Sequence, residues 1–248
     1  MKDDFSGRDQ VFANPVEPGP FAFNDQVARV FPDMITRSVP GYADILQGIG
    51  LFARRYVQPH TRVYDLGASL GAATFEMRHN ISVTGVEIIA VDNSPAMTSR
   101  LTAAVNQDPS VAPVRVRTES ITDTVLSSAS MVVLNFTLQF LAPELRLPLL
   151  GRIYKGLVPG GILILSEKIS YAQPWEQEFL TEIHWDFKRK QGYSDLEIAQ
   201  KRQALENVLV PWTAEEHREA LATAGFGQVS QWYGFFQFVS FGAVKGQG

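Results

Sequence analysis

Short apolar runs alternate with stretches of helical spacing through the middle of the chain. Residues 62–66, 87–91, 130–135 and 161–166 are rich in Val, Ile and Leu and end in turn residues, the mark of short buried strands. Helical patterns separate most of them, so successive strands are joined by crossovers and a mostly parallel sheet covered on both faces is predicted. Before this alternation, the apolar periodicity from about 25 to 57 predicts helices broken near Pro32 and Pro40. The first 24 residues, rich in Pro, Gly and Asn, predict an irregular arm.

From 170 to 212 the pattern is wholly helical, and Ser194-Asp195-Leu196-Glu197 reads as a capping box opening one of its helices. Thr213-Ala214-Glu215-Glu216 repeats that signature, the helix it opens should stop at Gly225, and two β-rich runs follow at 228–233 and 235–244. Such an ending resembles methyltransferase-like Rossmann folds, which finish in an antiparallel hairpin. The fold expected is α/β: a Rossmann-like class I methyltransferase fold with a mostly parallel sheet, an antiparallel hairpin at its end and a helical cap. Residues 1–248 are expected to form a single domain, with an N-terminal helical arm over 1–60 and a cap insertion at about 170–212. Pro148 and Gly151 fall within the helix expected to carry Leu145, Leu149, Ile153 and Leu157 and should kink or destabilise it.

Composition narrows the chemistry. With 248 residues, 45% of them hydrophobic, one α/β domain with an elaboration can bury a sufficient core. The absence of cysteine excludes disulfides, thiolate metal sites and cysteine nucleophiles. A net charge of -4 offers polyanions no general attraction, so direct nucleic-acid binding would need a local basic patch. The nearest candidate, Lys188-Arg189-Lys190, reads as a solvated helix end. The opening residues Met1 to Gln10 are too charged for a signal peptide, and no apolar run approaches the roughly 18 residues of a membrane span, so a cytoplasmic protein is expected. His60, His79, His184 and His217 lack metal-ligand spacing; they are expected at the surface or in packing, and no metal is expected.

One constellation carries chemistry. Val63-Tyr64-Asp65-Leu66-Gly67-Ala68-Ser69-Leu70-Gly71 is an apolar strand, an acid and a glycine-bracketed turn running into a helix. Gly67 lets the backbone pass close to a ligand, and the amides at a helix start can receive a carboxylate. Ile88-Ile89-Ala90-Val91 then delivers Asp92 to the end of the second strand, where its oxygens can accept both ribose hydroxyls of a nucleoside. A NAD site uses the same acid but prefers G-x-G-x-x-G, whereas this turn reads G-A-S-L-G. The turn, the acid and the hairpin ending together favour S-adenosylmethionine. Asn135, at the carboxyl end of the strand carrying Met131 to Leu134, is a further site candidate, with satisfaction of loop backbone as an equal alternative. Pro159-Gly160-Gly161 reads as a structural turn.

Beyond this fingerprint the chain resembles the carboxy-S-adenosyl-L-methionine synthase family over nearly its whole length. The resemblance rests on Val30-Phe31-Pro32-Asp33-Met34-Ile35, Arg37-Ser38-Val39-Pro40-Gly41-Tyr42, the run from Ala129 to Phe140, Asp186-Phe187-Lys188-Arg189, Gly192-Tyr193-Ser194, Gln200-Lys201-Arg202 and Leu205-Glu206-Asn207-Val208. It implies conversion of S-adenosylmethionine and prephenate into carboxy-S-adenosylmethionine and phenylpyruvate, in a homodimer that does not itself touch RNA. The product would pass to an enzyme that carboxymethylates tRNA wobble uridine. It also implies that Tyr42, Gly67, Ala68, Ser69, Asp92, Asn93, Ile121 and Asn135 contact the nucleoside and methionine, and that Arg202 holds the new carboxylate. A planar guanidinium matches a carboxylate bidentately. Two residues depart from the family pattern: Ala68 stands where the family carries cysteine, and Ser120 where it carries an aspartate for the adenine amino group. An ordinary small-molecule methyltransferase and a catalytically idle cofactor-binding module are the alternatives.

Overall fold

The computed structural model describes residues 7–17, 19–110 and 112–247. Part of the charged opening stretch, residues 1–6, lies outside them. Two helices lead in, α1 (Asp25–Ser38) and α2 (Tyr42–Tyr56), and the crossovers follow: β1 (Arg62–Leu66), α3 (Ala72–Asn80), β2 (Glu87–Asp92), α4 (Pro95–Gln107) and β3 (Val114–Thr118). Then come β4 (Ala129–Asn135), a 3-10 turn (Leu138–Phe140), α5 (Pro143–Gly156) and β5 (Leu157–Lys168). The chain ends with α6 (Pro174–Lys190), α7 (Asp195–Leu205), α8 (Ala214–Ala224), β6 (Gln228–Phe235) and β7 (Phe238–Val244).

The seven strands lie in the order β3-β2-β1-β4-β5-β7-β6. The first five are parallel, and β7 runs antiparallel between β5 and β6. Because side chains alternate along a strand, each central strand feeds two cores. Tyr64, Leu66, Ile89, Val91, Val132 and Leu134 face α5 and α8, which answer with Leu149, Ile153 and Leu221. Val63, Ile88, Met131 and Val133 face α2 and α3, which answer with Ile45, Ile49 and Met77. Burial on both faces is why these strands read as continuous apolar runs.

The helices depart from expectation at two prolines. α1 runs unbroken through Pro32, and the break falls at Val39 to Gly41, where Gly41 takes a left-handed φ of 67°. α5 likewise passes through Pro148 and Gly151. Pro148 lies on the exposed side, while Leu149, Leu150 and Ile153 are packed away; burial of that face outweighs one missing backbone bond. Fully buried Arg146 anchors the same helix, donating from Nε to the Leu141 carbonyl at 2.9 Å and from Nη2 to the Val210 carbonyl at 2.8 Å. Leu157 opens β5 rather than closing α5.

Both capping boxes form, Ser194 with Glu197 and Thr213 with Glu216, and α8 stops at Gly225. A parallel bridge between Ser170 and Thr213 closes the neck of the segment holding α6 and α7. The arm is strapped across that segment. Asp9, 2% exposed, accepts from the Tyr193 hydroxyl at 2.5 Å, its backbone amide donates to Asp33 at 2.7 Å, and its carbonyl takes Arg37 Nη1 at 3.3 Å. Farther on, Gln200 Nε2 donates to the carbonyls of Phe12 and Asn14, both at 2.9 Å. Among the described residues no helix is long and apolar enough to cross a membrane.

Candidate active site at the carboxyl edge of the sheet

Parallel strands end together, so β1, β2, β4 and β5 deliver Gly67, Asp92, Asn135 and Lys168 to one edge, where open α/β sheets bind ligands. Gly67 turns the chain there with a φ of 82°. A Cβ on it would come within 2.3 Å of Thr137 Oγ1 and 2.4 Å of Thr137 Cγ2, so the turn after β1 packs directly on the loop after β4. Ser69 follows in the left-handed region at 50°, which turns its amide toward β2.

Asp92 fastens this turn to its own strand end. One carboxylate oxygen accepts from the Ser69 amide at 2.8 Å and the other from the Ser94 amide at 2.9 Å. Burial pushes its carboxyl up while both amides pull it down. The second of these bonds closes a local turn; the first ties two strand ends together. Each oxygen keeps a lone pair for a further donor. Asn93 beside it is exposed.

Beneath the turn lies Asp65, fully buried, receiving Thr74 Oγ1 at 2.6 Å. Burial pushes its carboxyl up to about 6. Tyr42, in the first turn of α2, is raised by its own burial and by the charge of Asp65, and its ring faces that of Phe136 at 6.4 Å. Asn135 Oδ1 is buried and, among the described residues, has no hydrogen-bond partner. It therefore does not serve loop backbone through that atom.

At the end of β3 the Glu119 amide donates to the Asp92 carbonyl at 3.2 Å, bringing Ser120 and buried Ile121 toward the same edge. The Ser120 hydroxyl is taken up locally, 2.7 Å from Thr122 Oγ1 and accepting from the Thr122 amide at 3.2 Å. Glu119 is engaged as well, receiving Thr124 Oγ1 at 3.0 Å. Ala68, 5% exposed, packs against Ala90 and Leu101, a setting that accepts a small apolar side chain.

Arg202 stands apart on α7, exposed, with its guanidinium 5.5 Å above the Trp185 ring. It shares its surroundings with Lys168, whose proton affinity is lowered by burial and further by the charge of Arg202. Lys188 requires a correction: it is 9% exposed and not part of a solvated helix end, whereas Arg189 pairs outward with Asp186 and Asp195. Lys168 carried no signal in the sequence, Thr137 stood there only within the run 129–140, and Lys188 only within a basic string and a family motif; the further signal was its place four positions after His184 on the same helix. Among the described residues no three His, Asp or Glu side chains gather where they could hold a metal.

Strand order, glycine turn and acid define the class: a Rossmann-like class I methyltransferase fold. The family model described as a methyltransferase domain matches residues 64–165. Solved structures of similar fold include human N-acetylserotonin methyltransferase in complex with SAM, with a TM-score of 0.58 and 18% identity over 90% of this chain and 55% of that one. Another is magnesium protoporphyrin IX methyltransferase from Synechocystis, with a TM-score of 0.60 and 13% identity over 92% of this chain and 90% of that one. Curated relatives are more specific. A carboxy-S-adenosyl-L-methionine synthase of Vibrio cholerae is 50% identical over 99% of this chain and all of its own length, and one of Vibrio campbellii is 52% identical over 97% and 98%. The chain belongs to the carboxy-S-adenosyl-L-methionine synthase family.

Proposed function

We propose that this enzyme converts S-adenosylmethionine and prephenate into carboxy-S-adenosylmethionine, phenylpyruvate and water. Identity with named synthases along essentially the entire chain carries the reading. The site residues fit the nucleoside: Asp92 offers spare lone pairs to the ribose hydroxyls, and the orphaned Asn135 Oδ1 awaits a donor. Tyr42, Gly67, Ala68, Ser69, Asn93, Ser120 and Ile121 complete the contacts.

Prephenate loses its ring carboxylate as carbon dioxide and its ring hydroxyl as hydroxide, and the ring becomes aromatic. Hydroxide takes a proton from the sulfonium methyl and leaves as water. The carbon so exposed attacks carbon dioxide, and the new carboxylate is held by Arg202. No protein group acts as base; the cap keeps bulk water away. The enzyme acts in the cytoplasm as a homodimer and hands its product to a tRNA carboxymethylating enzyme.

Incubation of the purified protein with S-adenosylmethionine and prephenate, read by mass spectrometry, should give carboxylated cofactor and phenylpyruvate in equal amounts. Cofactor binding without prephenate consumption would refute the reading. Methyl transfer to another acceptor, unaffected by Arg202→Ala, would favour an ordinary methyltransferase.

A further inference from the structure

α6 turns a polar face inward. Its two buried residues are His184 and Lys188, four positions apart and so on one side of the helix, where an amphipathic helix would normally present apolar groups. That side meets the end of β5. Lys168 pairs there in register with Phe238, whose ring lies 5.0 Å from that of His184. α7 adds Lys201, 7% exposed, whose Nζ donates to Ser38 Oγ at 2.9 Å; the Ser38 carbonyl accepts from His184 Nε2 at 2.8 Å.

Positive charge outnumbers its partners here. Asp9 lies 4.0 Å from Lys201 and already accepts the Tyr193 hydroxyl. Among the described residues, no carboxylate lies within 4.0 Å of the ammonium group of Lys168 or Lys188, and neither group has a hydrogen-bond partner. Burial, with the charges of Lys201 and Lys168, lowers Lys188 to about 7, and burial, with the charge of Arg202, lowers Lys168 to about 8. His184, lowered to about 3 by burial and these lysines, is neutral and does not add to the charge. Lys188 is 9% exposed and Lys168 is half-buried; cations withdrawn from water without counter-ions are costly, and a site that keeps them is arranged for an anion.

We propose that Lys168 and Lys188 bind the carboxylate of a 2-keto acid, the pyruvyl carboxylate that prephenate retains on becoming phenylpyruvate. The assignment rests on the reaction proposed above. Of prephenate's two carboxylates, one departs as carbon dioxide. Lysines paired with that one would stabilise the charged ground state more than a transition state in which the charge moves into the ring, and would slow the step. The pyruvyl carboxylate keeps its charge throughout, so holding it fixes the substrate without opposing the chemistry. Arg202, exposed on α7, is left for the carboxylate that the cofactor gains.

The test uses Lys188→Met and Lys168→Met. Phenylpyruvate binding is measured by calorimetry on protein saturated with S-adenosylmethionine, alongside KM and kcat for prephenate. Either variant should weaken phenylpyruvate binding and raise the prephenate KM on the order of 10- to 100-fold, with S-adenosylmethionine affinity unchanged. Lys188→Arg should recover part of the loss. Thermal stability without ligand should hold or rise, because an uncompensated charge has been removed. If wild-type protein consumes prephenate and the variants keep its KM and the phenylpyruvate affinity, the lysine assignment falls and the reaction stands. If wild-type protein neither consumes prephenate nor binds phenylpyruvate, both fall. Failure of both Met variants to fold makes the lysines structural and overturns the assignment.

Discussion

Replacing Asp92 by Asn tests the joint on which the cofactor turn depends. The carboxylate accepts two backbone amides, Ser69 at 2.8 Å and Ser94 at 2.9 Å, one on each oxygen. A charge-assisted bond of this kind contributes about 1.5–3 kcal/mol. An asparagine can satisfy only one of the two; whichever way it turns, its NH2 faces the other N–H. The loss is one bond plus an opposed pair of donors at a half-buried position, about 2–4 kcal/mol. For a chain of this length that lowers Tm on the order of 10 °C. The ribose hydroxyls also lose a charged acceptor, so the Kd for S-adenosylmethionine should rise roughly 10- to 100-fold. Differential scanning calorimetry with and without S-adenosylmethionine, and titration calorimetry, read the two effects. A Tm within about 1 °C of wild type, with Kd within about twofold, would show that Asp92 neither fixes the turn nor meets the nucleoside.

Two further substitutions follow from the same edge of the sheet. Asp65 titrates near 6 when folded because it is buried, against about 3.9 in the unfolded chain. The folded state thus holds this proton more tightly, and stability falls as pH rises from about 4 to 6 and then levels, by about 3 kcal/mol from this group. Asp65→Asn should remove that slope, so that the stability of the variant relative to wild type is greater at pH 7 than at pH 4 in urea unfolding; an equal difference at both pH values refutes the assignment. Ser120→Asp should leave one oxygen accepting the Thr122 amide, as Ser120 Oγ does now at 3.2 Å, and free the other for the adenine amino group. S-adenosylmethionine should bind up to about 10-fold tighter, and an unchanged Kd would place the adenine elsewhere.

The strands buried on both faces were legible because an uninterrupted apolar run is what such burial demands. β3 was missed for the opposite reason. Val114, Val116 and Thr118 alternate with Arg115 and Arg117 at the sheet edge, and five residues with two arginines do not read as core. Pro32 and Pro148 misled because local propensity is a small term beside the packing of a whole helix face. Gly67 and Asp92 could be read from spacing, since backbone turns and strand ends have sequence rules. Lys188 could not: in Lys188-Arg189-Lys190 three like residues share a string, and only the rotation of α6 sends one inward and the others out. What tertiary contact decides, periodicity at three to six residues does not record.

The strap made by the arm has a practical side. Asp9 reaches Tyr193 across 184 residues of chain, so the segment holding α6 and α7 is held by residues that precede all seven strands. Trimming the chain up to Val11, or forcing a fusion partner against it, takes away the carboxylate beside Lys201 and loosens the cap in one cut. The arm therefore behaves as a tethered ligand of the cap, present at a high effective concentration. A tag is better carried at the other end of the chain.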